Sequence, residues 1–398
     1  VLAINRGESE GYLKVKVSVD ESFAVRVCET FFVKDGSVTS ANVKNAVFDA
    51  YKRLIQPSIE REIRGYLTEN AQEQAIKMFD VNLRPLLMQP PVKDKVTMGF
   101  DPAYRTGCKI AVVDGTGKVL ATTVVYPTPP QNKKDAAKNE LKQLIDKYSV
   151  DVIAIGNGTA SKESEIFVAD LVKDYGGKVV YAVVSEAGAS VYSGSPLAAK
   201  EFPNFDLTLR SAISIARRLQ DPLAELIKID PKAIGVGQYQ HDMPEARLDA
   251  VLNGVLEDCV NSVGVDLNTA SCALLSRVSG LNGSIAANIV AYREDNGKFR
   301  SRRELLKVNK LGAKAYEQCA GFLRIRDGVN ILDNTAVHPE SYVATEKLLK
   351  LFGYTDEDVE KRKLNDLPIQ IKKYGESRAA AECGLGVPTM NDIVNELL

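Results

Sequence analysis

The chain has 398 residues, of which 45% are hydrophobic, enough for roughly two to four domains with their own cores. Its 51 basic and 52 acidic residues nearly cancel, which excludes a protein that is basic throughout, so any surface for a polyanion must be local. No apolar run approaches the ~18 residues that span a bilayer, and no secretory signal opens the chain, so we expect a cytoplasmic protein with no membrane partner.

Residues 1–92 are predicted to form an α+β segment. Alternating apolar positions at 12–34 favour strands, and the sequence opens at Val1 in strand-like material. Between 40 and 88 the apolar spacing becomes helical, and prolines then indicate a boundary near residue 92. Because the first residue is not Met, we also expect a fragment of a longer protein.

Residues 93–230 have the pattern of an RNase H-like domain. Three apolar runs separated by turn sequences predict an antiparallel meander, and helices and strands then alternate. The predicted strands are 96–100, 108–113, 119–125, 152–156 and 179–184, and the predicted helices are 134–148, 161–174 and 206–228. A three-stranded meander followed by alternating α and β elements is unusual among other α/β folds.

Residues 231–330 are predicted to be helical, with a helix at 245–263 and a long helical segment up to 326. A shift of 30 residues superposes Leu275, Val278 and Leu281 on equivalent apolar positions, which indicates two tandem helix-hairpin-helix units. Residues 331–398 form a charged helical segment. The fold class expected is therefore multidomain, α/β plus α: an α+β segment, an RNase H-like domain and a tandem helix-hairpin-helix domain.

Cysteine and histidine spacing does not indicate a metal site. The six cysteines include no CxxC pair, and His241 and His338 lie far apart in the chain. Zinc sites need such ligands at close, characteristic spacing. We therefore predict no metal and no cofactor, and expect the cysteines to be core thiols.

Nine stretches of the chain resemble, in order and spacing, the bacterial transcription accessory protein Tex family. They are residues 2–8, 98–109, 155–161, 185–193, 213–226, 263–271, 278–281, 311–325 and 337–340. The resemblance implies a YqgF-like RNase H domain followed by helix-hairpin-helix units. It also implies a role in transcription, and that an N-terminal module and a C-terminal OB-fold RNA-binding domain lie outside this chain.

The RNase H-like domain has few of the acids that two-metal cleavage requires. Several carboxylates must converge on two divalent ions. Asp101 suits the position on the first strand, but Asn157 is a neutral amide at the end of the fourth. On the last helix the acids of related resolvases would fall near Thr208 and Ser211. We therefore expect no catalytic residues and a vestigial cleft, with Asp101, Asn157 and Glu186 at the same edge of the sheet.

The alternative is a metal-dependent nuclease or resolvase that uses Asp101. Glu186 or Asp206 would then have to supply the missing carboxylates.

The two hairpins are the candidates for nucleic-acid contact, because backbone N–H groups at such a turn bind phosphate. The residues that suit this role are Gly280, Asn282 and Gly283 in the first hairpin, and Lys310, Gly312 and Lys314 in the second. Residues 269–328 contain eleven basic and five acidic residues, a net charge of +6 in a chain whose total is −1. The basic excess thus coincides with the hairpins, as a phosphate-binding face requires. A purely architectural role for the hairpins remains the alternative.

These patterns predict a non-enzymatic scaffold that binds RNA or DNA without regard to sequence and has the transcription machinery as a possible partner. Besides the nuclease, a platform that contacts the transcription machinery through protein surfaces alone is the other alternative.

Overall fold

The structure, a computed structural model, describes all of residues 1–398. The chain forms two compact units: one comprises Val1–Leu83 and Gly235–Leu252, the other Arg84–Ile234 and Asn253–Leu398. No helix combines the length and the apolar character that crossing a bilayer requires.

The first unit is built from helices. Its N-terminal part contains α1 (Leu2–Ser9), α2 (Glu21–Phe32), α3 (Ser40–Ala50), a π-helical turn (Tyr51–Ile55) and most of α4 (Gln56–Leu87). The prediction of an α+β segment at 1–92 is therefore wrong, because the first strand of the chain begins only at Thr97.

In place of the strands predicted at 12–34, the structure has α2, whose N-terminus is capped by a side chain. The side chain of Asp20 accepts a hydrogen bond of 3.1 Å from the backbone N–H of Phe23 and so caps the helix. Val25 and Cys28 fall on the covered face at helical spacing, whereas Phe23 is exposed. The alternation of apolar residues therefore does not correspond to alternating burial.

The second unit begins with a five-stranded mixed sheet. Its elements are β1 (Thr97–Asp101), β2 (Cys108–Val113), β3 (Val119–Val125), α5 (Lys134–Tyr148), β4 (Val152–Gly156), α6 (Ser161–Lys173) and β5 (Val180–Val184). The strand order is β3-β2-β1-β4-β5, with β1 to β3 antiparallel and β1, β4 and β5 parallel. The predicted RNase H-like order of elements is confirmed.

Helices cover both faces of this sheet. After β5 come α7 (Ala189–Ser193), α8 (Pro196–Glu201), α9 (Leu207–Gln220) and α10 (Pro222–Leu226). Helices α5 and α6 share a core with Phe100 and Ile110 on one face, whereas α9 packs on Ala111 and Val113 on the other. The predicted helix at 206–228 is divided at Asp221, whose side chain caps α10.

Gly99 sets the distance between α9 and β1. A Cβ added to it would lie 2.1 Å from the carbonyl oxygen of Ala212. Since no side chain fits in that space, only glycine lets the helix pack directly on the central strand. This contact fixes α9 against the middle of β1.

The rest of the chain consists of helices and a small parallel strand pair. The elements are α11 (Glu245–Val263), β6 (Val265–Asp266), α12 (Cys272–Leu275), α13 (Gly283–Asn296), α14 (Ala313–Cys319), β7 (Leu323–Arg324), α15 (Tyr342–Leu351), α16 (Asp356–Glu360), α17 (Leu367–Tyr374), α18 (Glu376–Cys383) and α19 (Val387–Leu397). Strands β6 and β7 pair in parallel. The helix predicted at 245–263 is confirmed, but the long helical segment predicted up to 326 is a series of short helices separated by turns.

A buried arginine joins the hairpin region to the C-terminal helices. The guanidinium of Arg302, 1% exposed, donates hydrogen bonds to the carbonyls of Leu323, Thr335 and Val337 and to the Tyr342 hydroxyl, at 2.5 to 2.8 Å. Burial lowers its pKa, although the charges of the nearby polar groups oppose that shift. The sequence gives no sign that this basic residue is internal.

Candidate functional site

Three of the residues predicted for the cleft meet at one edge of the sheet. Asp101 ends β1, Asn157 follows β4 and Glu186 follows β5, and these three strands are parallel. The side-chain oxygen of Asn157 accepts a hydrogen bond of 3.0 Å from the backbone N–H of Glu186. Asn157 therefore holds the loop that carries Glu186, a structural task that an amide performs without a metal.

Asp101 is a carboxyl group in an unfavourable place for a charge. Burial, and secondarily the negative charge of Glu186, raise its pKa to about 6. A hydrogen bond with Ser211 and the positive charge of Lys109 oppose this shift. Ser211 is one of the two positions where the helical acid of a resolvase was expected, so that position holds a hydroxyl beside Asp101.

Lys109 places a positive charge inside the cleft. It is directly opposite Asp101 in the β1–β2 pair, and only 6% of it is exposed. Its Nζ donates a hydrogen bond of 2.6 Å to the Thr106 hydroxyl. Its charge lowers the pKa of both Asp101 and Asp206, in each case as the smallest of the causes. The cleft thus has an internal cation where a two-metal site needs room for ions.

Asp206, the other acid that could complete a nuclease site, is used as a helix cap. Its carboxylate accepts hydrogen bonds of 2.9 and 2.8 Å from the backbone N–H groups of Thr208 and Leu209. These bonds hold its pKa below the usual range, chiefly the bond from Leu209. The acid suggested as a substitute ligand therefore already has partners within the protein.

Glu186 lies against the backbone of the loop after β4. A Cβ added to Gly158 would be 1.5 Å from one of its carboxylate oxygens, so a glycine is required there. Arg218, 2% exposed, donates hydrogen bonds to the carbonyls of Ser185 and Ala187 on either side of Glu186, at 2.6 and 2.8 Å. No group of three or more His, Cys, Asp or Glu side chains in the structure is arranged to hold a metal ion.

Lys109 and Arg218 are buried cations beside the cleft that the sequence did not reveal. Lys109 could have been found from its position, because residues paired across antiparallel strands place their side chains on the same face. No comparable pattern indicated that Arg218 is buried, because a basic residue in a helix is usually exposed.

The two hairpins repeat the same local geometry 30 residues apart. Gly280 and Lys310 both have left-handed backbone, with φ of 79° and 64°. The next residue in each hairpin donates a backbone hydrogen bond three residues back, at 3.0 Å in the first and 3.2 Å in the second. Asn282 then caps α13 and Gly312 caps α14. The repeat found in the sequence is thus a repeat of structure.

The first hairpin is half-buried at Gly280 and exposed at Asn282 and Gly283. A Cβ on Gly280 would lie 2.5 Å from the Cβ of Gln318, so the close approach at this glycine is to a neighbouring helix. Asn282 uses its side chain to accept a hydrogen bond from the backbone N–H of Ile285. Gly283 faces open space.

The second hairpin is open. Lys310, Gly312 and Lys314 are all exposed, and a Cβ on Gly312 would meet nothing within 4 Å. The Nζ of Lys310 donates a hydrogen bond of 3.1 Å to the Ser284 hydroxyl in the first turn of α13. The lysine of the second hairpin and the helix start of the first hairpin therefore share one surface.

Not all of the basic excess at 269–328 faces solvent. Arg277, Arg293 and Arg302 donate to acceptors within the protein. The exposed cations are Lys298, Arg300, Arg303, Lys307, Lys310, Lys314 and Arg326, of which Arg326 pairs with Asp266. A cationic surface remains, and it includes the second hairpin.

Comparison with known proteins agrees with this arrangement. A family described as the Tex protein YqgF-like domain matches residues 95–220, a helix-hairpin-helix motif matches 260–324, and an HHH domain matches 330–398. The transcriptional accessory protein Tex of Neisseria gonorrhoeae is 45% identical over the whole of this chain, which covers 52% of that protein. The chain belongs to the Tex family.

Other relatives show how widely this Tex-like sequence is shared. The uncharacterized protein YdcI of Bacillus subtilis is 51% identical, with all of this chain aligned to 55% of that protein. The human S1 RNA-binding domain-containing protein 1 is 39% identical, with all of this chain aligned to 46% of that protein. The chain thus spans about half the length of the curated relatives it matches.

Proposed function

We propose that this chain is the nucleic-acid-binding core of a transcription accessory protein, and that its RNase H-like domain has no nuclease activity. The observation that carries the binding proposal is the open second hairpin, where Gly312 leaves the backbone accessible between the exposed side chains of Lys310 and Lys314. Phosphate backbones carry no base identity, so contact of this kind is insensitive to sequence and serves RNA and DNA alike.

Lys310 supports this role by its backbone as well as its charge. A non-glycine residue with φ of 64° costs roughly 1 kcal/mol, and the equivalent residue in the first hairpin is glycine. Asparagine or glycine would relieve that cost without supplying a cation. The first hairpin, whose Gly280 is packed against α14, contributes mainly through Gly283 and the start of α13.

The proposal of inactivity rests on the charges around Asp101. Of the acids expected near it, one position is Asn157 and another is Ser211, and the remaining candidate, Asp206, caps α9. Lys109 adds a cation to the same edge. A divalent ion would have to bind one partly protonated carboxyl and Glu186 against that positive charge, which is unfavourable.

The proposal is tested by binding and cleavage assays on the same chain. Single-stranded RNA and duplex DNA of two unrelated sequences each should bind with similar affinities within each class, and should remain intact in magnesium or manganese. Cleavage that disappears in Asp101→Asn would establish the nuclease alternative. If none of the nucleic acids binds, the chain is a platform for protein contacts, and the transcription machinery would be the partner to examine.

A further inference from the structure

A cavity of about 640 Å³ lies in the second unit, away from both the cleft and the second hairpin. It opens between the loop before β1, the start of α10, the β6–β7 pair and the turn after α16. Four cations line it: Lys93, Arg324, Arg326 and Arg362. A cavity of this size accommodates a ligand as large as a nucleotide.

The acids in this cavity are already engaged. Asp266 accepts hydrogen bonds from the backbone N–H groups of Asn268 and Thr269, and its other oxygen pairs with Arg326 at 3.4 Å. Asp221 caps α10 through a 3.0 Å hydrogen bond from Ala224. Once Arg326 is paired with Asp266, the charges of Lys93, Arg324 and Arg362 are balanced only by Asp221. The cavity therefore has a net charge of +2.

Arg324 lies at the centre of this region. A Cβ on Gly264, whose φ is 75°, would be 2.8 Å from the guanidinium carbon, so this glycine lets the guanidinium lie flat against the backbone. Its one hydrogen bond, of 2.5 Å, is to the Gly321 carbonyl. Burial, followed by the charge of Arg302, lowers its pKa to about 10, and Glu396 in an adjoining cavity partly opposes this. The guanidinium remains charged at neutral pH with N–H donors to spare.

The other two cations are free of ion pairs. Lys93 and Arg362 are exposed, and neither forms an ion pair with a carboxylate. Arg362 has a left-handed backbone, with φ of 49°, at a position where glycine would avoid the steric cost. Its backbone N–H bonds to the Val359 carbonyl, but its guanidinium has no partner within the protein, so there is no evident structural reason for an arginine in that conformation.

We propose that this cavity binds a phosphate group of a nucleotide or of a polynucleotide strand. A phosphate monoester carries a charge of about −1.5 to −2 at neutral pH, which matches the unbalanced charge of the cavity. Guanidinium groups bind its oxygens through charge-assisted hydrogen bonds, and Lys93 adds a point charge. The proposal does not depend on phosphate contact at the second hairpin.

The test uses inorganic pyrophosphate as the probe, measured by calorimetry on the whole chain. Lys93→Ala/Arg362→Gly should bind it at least about tenfold more weakly than the unmodified chain, the effect of losing one charged hydrogen bond or more. Glycine is chosen at 362 because it adopts the positive φ. Lys372→Ala/Lys373→Ala, which removes two exposed cations outside the cavity, is the matched control and should bind as the unmodified chain does.

Two oligonucleotides identify the source of the phosphate. In a Lys310→Ala/Lys314→Ala background, which removes the hairpin contribution, strands with a 5′-phosphate and with a 5′-hydroxyl are compared. A preference for the 5′-phosphate that disappears with Lys93→Ala/Arg362→Gly assigns the site to strand ends, and pyrophosphate binding without such a preference assigns it to free nucleotides. The proposal is wrong if pyrophosphate does not bind, or if it binds the cavity variant and the control variant equally.

Discussion

Asp101 and Lys109 are paired directly across β1 and β2, yet the pKa of Asp101 is raised to about 6. Burial and the charge of Glu186 outweigh the attraction of the lysine. Folding therefore favours the protonated form of this carboxyl group relative to the unfolded chain, the opposite of what an ordinary ion pair does. The cleft therefore lowers the free energy of unfolding at neutral pH, as sites under a functional constraint often do.

Replacing Asp101 by Asn should change how stability depends on pH. Because the folded pKa lies above the unfolded value of about 3.9, the native protein loses stability as the pH rises from about 4 to about 6. The variant cannot titrate there, so its free energy of unfolding relative to the unmodified chain should rise by as much as about 3 kcal/mol, less where solvent screens the group. Urea midpoints at pH 4, 5, 6 and 7 measure this.

Asp206→Asn is the control with the opposite sign. Hydrogen bonds lower the pKa of Asp206, so its contribution is present above the unfolded pKa and is lost as the pH falls through the folded value. Relative to the unmodified chain, that variant should become less stable as the pH rises. If the two variants show the same trend, the electrostatic account of the cleft is incorrect.

Two neighbouring arginines should differ greatly in their effect on stability. Arg302→Ala leaves the buried carbonyls of Leu323, Thr335 and Val337 without donors and should cost about 3 to 5 kcal/mol. Arg303 is exposed, and Arg303→Ala should change the free energy of unfolding by no more than about 0.5 kcal/mol. Chemical denaturation measures both, and values within 1 kcal/mol of each other would contradict the buried network.

Gly99 should tolerate no side chain. In Gly99→Ala the new Cβ would have to displace the Ala212 carbonyl from a separation of 2.1 Å, so we expect a loss of about 1 to 3 kcal/mol or more. Gly254, inside α11, has nothing within 4 Å of such a Cβ, and Gly254→Ala should stabilise the chain by about 0.5 to 1 kcal/mol. Thermal melts of the two variants distinguish them, and equal shifts would show that α9 can move away from β1.

The sheet was predictable because its strands are short apolar runs between strong turn signals. The helix within residues 12–34 was not predictable, because alternating apolar residues also fit a helix. Only the cap at Asp20 distinguishes the helix from a strand. At the sites, the positions of Asp101, Asn157 and Glu186 follow from strand order alone. The burial of Lys109, Arg218 and Arg302 depends on contacts with residues far away in the sequence. The spacing of residues along the chain does not indicate such contacts.

The hairpins could be predicted from the sequence only in part. The 30-residue repeat and the basic excess are visible, and the left-handed residue at the same place in each hairpin agrees with them. The close packing of Gly280 against α14 depends on how the two hairpins pack together, which the sequence does not show. The domain boundaries at 92, 230 and 330 and the cytoplasmic location stay predictions.

The salt dependence of nucleic-acid binding decides whether the second hairpin contacts phosphate. Each phosphate contact contributes about 0.7 to 0.9 to the slope of log K against log salt. Lys310→Ala/Lys314→Ala should therefore flatten the slope by up to about two units for single-stranded RNA and duplex DNA alike. Lys133→Ala/Lys134→Ala, which removes two exposed lysines near the sheet, should leave it unchanged. If the hairpin variant keeps the affinity and slope of the unmodified chain, the hairpins are architectural and the claim is wrong.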